Sequence, residues 1–218
     1  TVTSDAWILE TLEKGYSLEF AAEVPSQGDL LQVKNTFSTP LWEEVKSLMD
    51  KGALEVVPNS QRGLGFYAHA FLRPKKSGGR CLILNLKPLN RWLLHKHFKM
   101  DHLGLILKDL GPGLWAVSLD LTDAYLHIPL RPAHRKFMRL AVGDHHFQFV
   151  SMCFGLAPAP RVFTKAMVEI GAYMRRQGAR MFQYLDDWLL ISADKEELRR
   201  QRNDLIRLTK RLGLLINV

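Results

Sequence analysis

From Met181 to Ile191 the chain is apolar on both sides of an Asp186-Asp187 step, which predicts a β-hairpin with acids at its tip. The turn chemistry is wrong for an ordinary hairpin. Two-residue hairpin turns favour Asn-Gly or Asp-Gly, because their central residues take positive φ. Tyr184-Leu185-Asp186-Asp187-Trp188 offers no glycine and sets two like charges side by side. A bound cation would offset that repulsion; two solvent-facing acids in a loop are the plainer alternative. A third carboxylate weighs on the side of the cation. Leu114 to Leu119 alternates Trp115, Val117 and Leu119 against Ala116 and Ser118, a half-buried strand that delivers Asp120 at its end.

The rest of the chain reads as interleaved helices and strands. Ser38-Thr39-Pro40 opens a helix striped by Leu41, Val45, Leu48 and Met49 and stopped near Gly52. Residues 53–91 read as strands, with Phe66 to Arg73 and Arg80 to Leu86 joined by a turn at Lys75-Lys76-Ser77-Gly78-Gly79. Phe147 to Val150 reads as a further short strand. Pro158 and Pro160 start a helix whose Val162, Phe163, Ala166, Met167, Ile170 and Met174 keep helical spacing. Asp194 with Glu197 resembles a capping box before a helix carrying Leu198, Leu205, Leu208 and Leu212 and ending at Gly213. Leu214 to Val218 begins another strand. This order predicts an α+β fold with an antiparallel sheet rather than a doubly wound parallel one.

Composition narrows the function classes. The net charge of +8, concentrated in Arg73–Arg91, Arg131–Arg139, Arg175–Arg180 and Arg199–Arg211, fits a polyanionic partner, although solvated helix faces would look the same. No apolar run approaches the roughly 20 residues that span a bilayer, so no membrane role is expected. Cys81 and Cys153 exclude a disulfide framework and lack zinc-site spacing, which makes an intracellular, reducing setting (cytoplasm or nucleus) the expectation. Three carboxylates from strand ends suit hard divalent cations, and phosphoryl transfer from a nucleoside triphosphate uses two such ions about 4 Å apart.

Four segments in order carry a family resemblance. Leu119-Asp120-Leu121-Thr122-Asp123-Ala124-Tyr125 resembles motif A of reverse transcriptases, Phe154-Gly155-Leu156-Ala157-Pro158-Ala159-Pro160 motif B, and Tyr184-Leu185-Asp186-Asp187 motif C. Leu84-Asn85-Leu86-Lys87-Pro88-Leu89-Asn90 is similar to the fingers strand before motif A. Leu185-Asp186-Asp187-Trp188-Leu189-Leu190, His134-Arg135-Lys136-Phe137 and Ala159-Pro160-Arg161-Val162-Phe163-Thr164-Lys165 are most similar to the DIRS-type retrotransposons, the group that integrates with a tyrosine recombinase.

The resemblance implies a right-hand polymerase fingers and palm over 1–218, with fingers at about 1–100 and 130–150 and palm at about 101–129 and 151–218. Thumb, primer grip, RNase H and recombinase modules would be absent, as in a fragment. It implies an RNA-directed DNA polymerase that adds deoxynucleotides to a primer on an RNA or DNA template. Asp120, Asp186 and Asp187, with the Leu121 carbonyl, would hold two Mg²⁺ or Mn²⁺ ions. Asp123, Ala124 and Gly155 would lie at the incoming nucleotide, Tyr125 would exclude a 2′-hydroxyl, and Lys75 or Lys76 would reach the triphosphate. Tyr184, Ala157 and Pro158 would meet primer and template. Phe154 stands where retroviral relatives carry glutamine. The family's triphosphate arginine, nine residues before Asn90, falls on Cys81; either Arg80 serves instead or the charge is lost. Two rival readings are a degenerate copy that binds nucleic acid without polymerising and an RNA-templated RNA polymerase; Tyr125 argues against the second.

Overall fold

A computed structural model describes residues 2–29, 32–74, 78–101 and 103–217. In chain order the elements begin α1 (Ala6–Lys14), β1 (Lys34–Asn35), α2 (Thr39–Asp50), β2 (Leu54–Val56), β3 (Ala70–Pro74), β4 (Arg80–Leu84) and α3 (Lys87–Asn90). They continue α4 (Leu103–Asp109), β5 (Trp115–Leu121), β6 (Arg139–Val142), β7 (His145–Phe149) and α5 (Ala159–Arg176), then β8 (Arg180–Tyr184), β9 (Asp187–Ser192), α6 (Lys195–Arg211) and β10 (Ile216–Asn217). They form two compact units, one of Thr1–Ile8, His97–His127 and Pro160–Val218, the other of Leu9–Lys96 and Ile128–Ala159. Among the described residues no helix is long and apolar enough to cross a membrane.

The first unit is built on an antiparallel sheet in the order β10-β5-β9-β8. Helix α5 follows from its spacing: Val162, Phe163, Ala166, Met167, Ile170 and Met174 recur at helical intervals and all are buried. Burying each of the larger ones stabilises by about 1.5–3 kcal/mol. The helix is also tied to β8 by hydrogen bonds. Gln183 Nε2 donates to the Met167 carbonyl (2.9 Å) and Arg175 Nη1 to the Met181 carbonyl (3.0 Å). A side chain at Gly171 would overlap Gln183, so glycine is what permits the approach.

Helix α6 packs on β5, β9 and β10. Asp194 caps it, accepting the main-chain N–H of Glu196 (2.8 Å) and Glu197 (3.3 Å). The expected reciprocal bond from the Glu197 side chain does not form. Glu197 instead accepts the Ser192 hydroxyl (2.8 Å), which fastens the helix start to the end of β9. Strand β5 runs two residues beyond its expected end, so Asp120 sits within the strand. Only its C-terminal half buries alternate residues, and Trp115 stays 48% exposed beneath the Lys195 ammonium.

The second unit holds the sheet β1-β6-β7-β2, in which β1 runs parallel to β6, and a separate β3–β4 hairpin. Regular pairing in β3 begins at Ala70 rather than Phe66. A buried amide takes the place of a neighbouring strand there: Asn35 accepts the Ala70 N–H (2.8 Å) and donates to the Ala68 (3.2 Å) and Ala141 (3.0 Å) carbonyls. The expected strand to Leu86 stops at Leu84, and Pro88 in the first turn starts the short helix α3 instead. The sequence pattern gave no sign of α1 or β6. Leu9 and Leu12 of α1 are exposed, which blurs its stripe, and all four residues of β6 are buried, so alternation is lost.

Arg139 of β6 is 1% exposed and fully engaged. Its Nε donates to Gln148 Oε1 (2.9 Å), Nη1 to the Gln61 (2.7 Å) and Leu64 (2.6 Å) carbonyls, and Nη2 to Gln61 Oε1 (2.6 Å). Gln148 passes the contact to Glu55 (2.7 Å), which also accepts from Arg135. Arg139→Met strands two main-chain acceptors, at about 1–3 kcal/mol each when unpaired. We expect a loss of about 2–4 kcal/mol in denaturant unfolding and faster proteolysis at residues 61–64.

His134 Nδ1 accepts the Leu18 N–H at 2.7 Å, which requires the neutral ring. Burial, with the charges of Arg131 and Lys136, holds its pKa below the ordinary 6.5. A depressed histidine pKa contributes stability above the unfolded value and loses it as pH falls through the folded one. Thermal stability is therefore expected to drop below about pH 6.5, with a shallower drop in His134→Gln.

Candidate active site

Tyr184 pairs with Asp187, so the β8–β9 turn consists of Leu185 and Asp186. The sequence placed both aspartates at the tip; the register moves Asp187 into β9. Leu185 takes the left-handed conformation (φ 53°), at about 1–2 kcal/mol for a residue with a Cβ. Two bonds hold it there. The buried Trp188 donates its indole N–H to the Leu185 carbonyl (2.9 Å), and the Leu121 N–H donates to the Asp186 carbonyl (3.0 Å).

That register sets Asp120 of β5 directly opposite Asp187. Residues directly opposite share a face with Cβ atoms about 4.5–5.5 Å apart, and like charges so placed are destabilising. Both are exposed, while Asp186 is half-buried. Burial pushes the Asp186 carboxyl above the usual range against a main-chain hydrogen bond that lowers it, and the charges of Asp187 and Asp120 push it further. Among the described residues no three His, Cys, Asp or Glu side chains already form a metal-holding group. The donor chemistry nevertheless fits a hard divalent cation: oxygen ligands only, and mutually repelling until neutralised.

The residues after β5 turn back beside these carboxylates. Asp123 (φ 54°) and Leu185 are the non-glycine residues with positive φ among those described. Strain of this kind gathers where the surroundings over-determine the backbone. Asp123 leads into a single 3₁₀ turn, Ala124–His127, and accepts the Leu126 N–H (2.8 Å). His127 Nε2 accepts the Leu215 N–H (3.1 Å), so its Nδ1 carries the proton given to the Ala124 carbonyl (3.1 Å). Sequence reasoning missed this anchor; a lone histidine carries no such signal. Tyr125 is 8% exposed and packs edge-on against Phe163, with ring centroids 5.8 Å apart. Burial raises its hydroxyl pKa, as do the charges of Asp186 and Tyr184, which places the phenol near both. Tyr184 itself is 49% exposed.

The remaining predicted residues belong to the second unit. Gly155 has φ 98°, and a Cβ on it would lie 2.7 Å from the Leu84 carbonyl oxygen, so the position requires glycine. Asn90 clasps the same loop, donating to the Gly155 carbonyl (2.7 Å) and accepting the Ala157 N–H (2.9 Å). Sequence reasoning quoted Asn90 only as part of a motif. Pro158 is buried at the entry to α5. Arg80 is exposed opposite Pro74, and Cys81 pairs with Arg73, which puts an arginine on the face where Cys81 stands. Lys75 and Lys76 lie outside the described residues.

Comparisons with known proteins bear on the family and the fold. The family model described as reverse transcriptase (RNA-dependent DNA polymerase) matches residues 74–218. The genome polyprotein of Petunia vein clearing virus (isolate Shepherd) is 29% identical over 136 residues, covering 62% of this chain and 6% of that protein. The retrovirus-related Pol polyprotein from transposon gypsy of Drosophila melanogaster is 26% identical over 129 residues, covering 59% and 12%. The chain thus spans a small part of the length of these relatives. The crystal structure of native prototype foamy virus protease-reverse transcriptase shares the fold, with a TM-score of 0.72 at 15% identity over 91% of this chain and 26% of that one. The four motifs, the carboxylates paired across β5 and β9, and the match over residues 74–218 converge: this chain belongs to the reverse transcriptase (RNA-dependent DNA polymerase) family.

Proposed function

We propose that this chain is the fingers-and-palm core of a retrotransposon reverse transcriptase, which extends a primer with deoxynucleotides on an RNA or DNA template. The observation that carries the reading is the register of β5 against β9, with Asp120 opposite Asp187 and Asp186 on the adjoining turn. The first unit corresponds to most of the palm expected at about 101–129 and 151–218, and the second to most of the fingers expected at about 1–100 and 130–150, with residues 1–8 and 151–159 falling in the other unit. The Leu185–Leu190 wording and the segment Ala159–Lys165 support a DIRS-type element. Its place of work is inside the cell, in cytoplasm or nucleus.

Asp120, Asp186 and Asp187, with the Leu121 carbonyl, would hold two Mg²⁺ or Mn²⁺ ions. When bound, such ions neutralise charge on the attacking 3′-oxygen and on the leaving phosphate. The protein's own groups orient the substrates. Asp123 and Ala124 present main chain to the triphosphate from a turn locked by His127. Tyr125, wedged by Phe163, walls off the 2′ side of the sugar. Gly155, Ala157 and Pro158 give template and incoming base a close approach to backbone. Tyr184 meets the primer end. Arg80 or Lys75 contacts the triphosphate from the fingers, and Arg73 adds a charge on the Cys81 face. Duplex binding through the basic segments is sequence-independent and salt-sensitive.

A binding module that no longer polymerises is the second reading, favoured by Cys81 at the arginine position. Primer extension decides between them. Asp187→Asn is expected to abolish incorporation with Mg²⁺ or Mn²⁺ while template–primer affinity changes little; equal loss of both would make the aspartates structural. Because it removes a facing like charge, the same change should raise metal-free stability by about 0.2–1 kcal/mol in denaturant unfolding. Tyr125→Ala should lower discrimination against ribonucleotides by about tenfold or more in single-nucleotide incorporation, and unchanged discrimination would refute the gate.

A further inference from the structure

Helices α5 and α6 of the first unit flank a half-open cavity of about 350 Å³ that shares no residue with the carboxylate site. Its size falls in the range of small-ligand sites, roughly 300–1,000 Å³. Tyr173 and Gln177 line it from α5, and Gln201, Asp204, Arg207 and Arg211 from α6. Gln201, Asp204 and Arg211 recur at helical spacing, which gathers them on one face of α6.

Three features of this cavity define what would fit it. Gln201 is 8% exposed, its Nε2 donates to Glu197 Oε1 (3.2 Å), and its buried Oε1 has no hydrogen-bond partner among the described residues. The Glu197 carboxylate only accepts, so it fixes which way the amide points; reversing the amide would set two oxygens face to face. The free acceptor therefore calls for an N–H or O–H donor. The second feature is cationic. Arg207 is held by an ion pair with Asp204, and Arg211 has no ion pair among the described residues. The negative end of the α6 dipole opposes an anion there, so anion binding would depend on these two guanidinium groups. The third is the Tyr173 ring, with the Arg176 guanidinium 6.0 Å from its centroid.

We propose that this cavity is a second nucleotide-binding site that takes one nucleoside monophosphate unit, free or within a single strand. The base lies against Tyr173 and donates an N–H to Gln201 Oε1, and the phosphate engages Arg207 and Arg211. Base–aromatic stacking and arginine–phosphate pairing are the usual terms of sequence-tolerant single-strand binding. An acidic peptide would satisfy the arginines and the acceptor but leaves the flat ring without a matching partner.

The test uses the whole chain in EDTA, which removes cation-dependent nucleotide binding at the carboxylates. Adenosine monophosphate and a short single-stranded oligoadenylate are titrated by calorimetry, with ribose 5-phosphate and polyglutamate as comparators. Binding of either adenine ligand that Gln201→Leu or Arg211→Gln weakens, with ribose 5-phosphate weaker by about tenfold or more, supports the site, because strand binding along the basic segments elsewhere is insensitive to these two residues; which of the two ligands binds identifies the source. Gln201→Leu and Arg211→Gln should each weaken binding about tenfold, and Gln201→Leu should keep or raise the melting temperature, because it removes an unpaired buried acceptor. The proposal is overturned if neither adenine ligand binds, if ribose 5-phosphate or polyglutamate binds as tightly, or if both variants leave affinity unchanged. None of these failures touches the polymerase reading, which is scored by incorporation with Mg²⁺.

Discussion

The pairing of β5 with β9 is the constraint on which the rest of the first unit depends. It sets two carboxylates face to face on a ladder whose remaining residues are apolar or small. In the absence of a cation this arrangement works against folding, and the surrounding structure must over-determine it. The indole of Trp188, the Leu121 N–H and the buried face of α5 do so by holding the turn and the strands from several directions. Stability is thus concentrated around a locally unfavourable centre.

The second unit relies on a different device. Asn35 and Asn90 each both donate and accept, and each replaces a regular ladder or loop partner with a side-chain amide. An amide can do this because it carries both kinds of group on one short, stiff arm. The Gly155 loop is thereby held without a strand beside it, and its glycine keeps room for the Leu84 carbonyl. Arg139 performs the same service on a larger scale for the turn at residues 61–64.

Much of this was legible in the sequence where a local rule decides the outcome. Helices α2, α5 and α6 were announced by caps, prolines and apolar spacing, and the hairpin by its composition. What the sequence left hidden depends on non-local partners. Nothing local distinguishes a turn at Leu185-Asp186 from one at Asp186-Asp187, yet that single step decides which aspartate faces Asp120. The irregular stretch Phe66–His69 reads as strand because its residues suit one, but its partners are a side chain and isolated bridges. His127 and Asn90 are invisible for the same reason: their partners lie 88 and 65 residues away.

The order β10-β5-β9-β8 also has a bearing on how the chain acquires its fold. Strand β5 is flanked by β9 on one side and β10 on the other, and both emerge later in synthesis. At roughly 5–20 residues per second, the roughly seventy residues separating Asp120 from Asp187 take several seconds to appear. Through that interval β5 has two open edges and no partner. Its exposed Ser118 and Asp120 then stand as polar interruptions in an otherwise sticky segment, so the carboxylate proposed for the metal site also discourages premature edge pairing in the nascent chain.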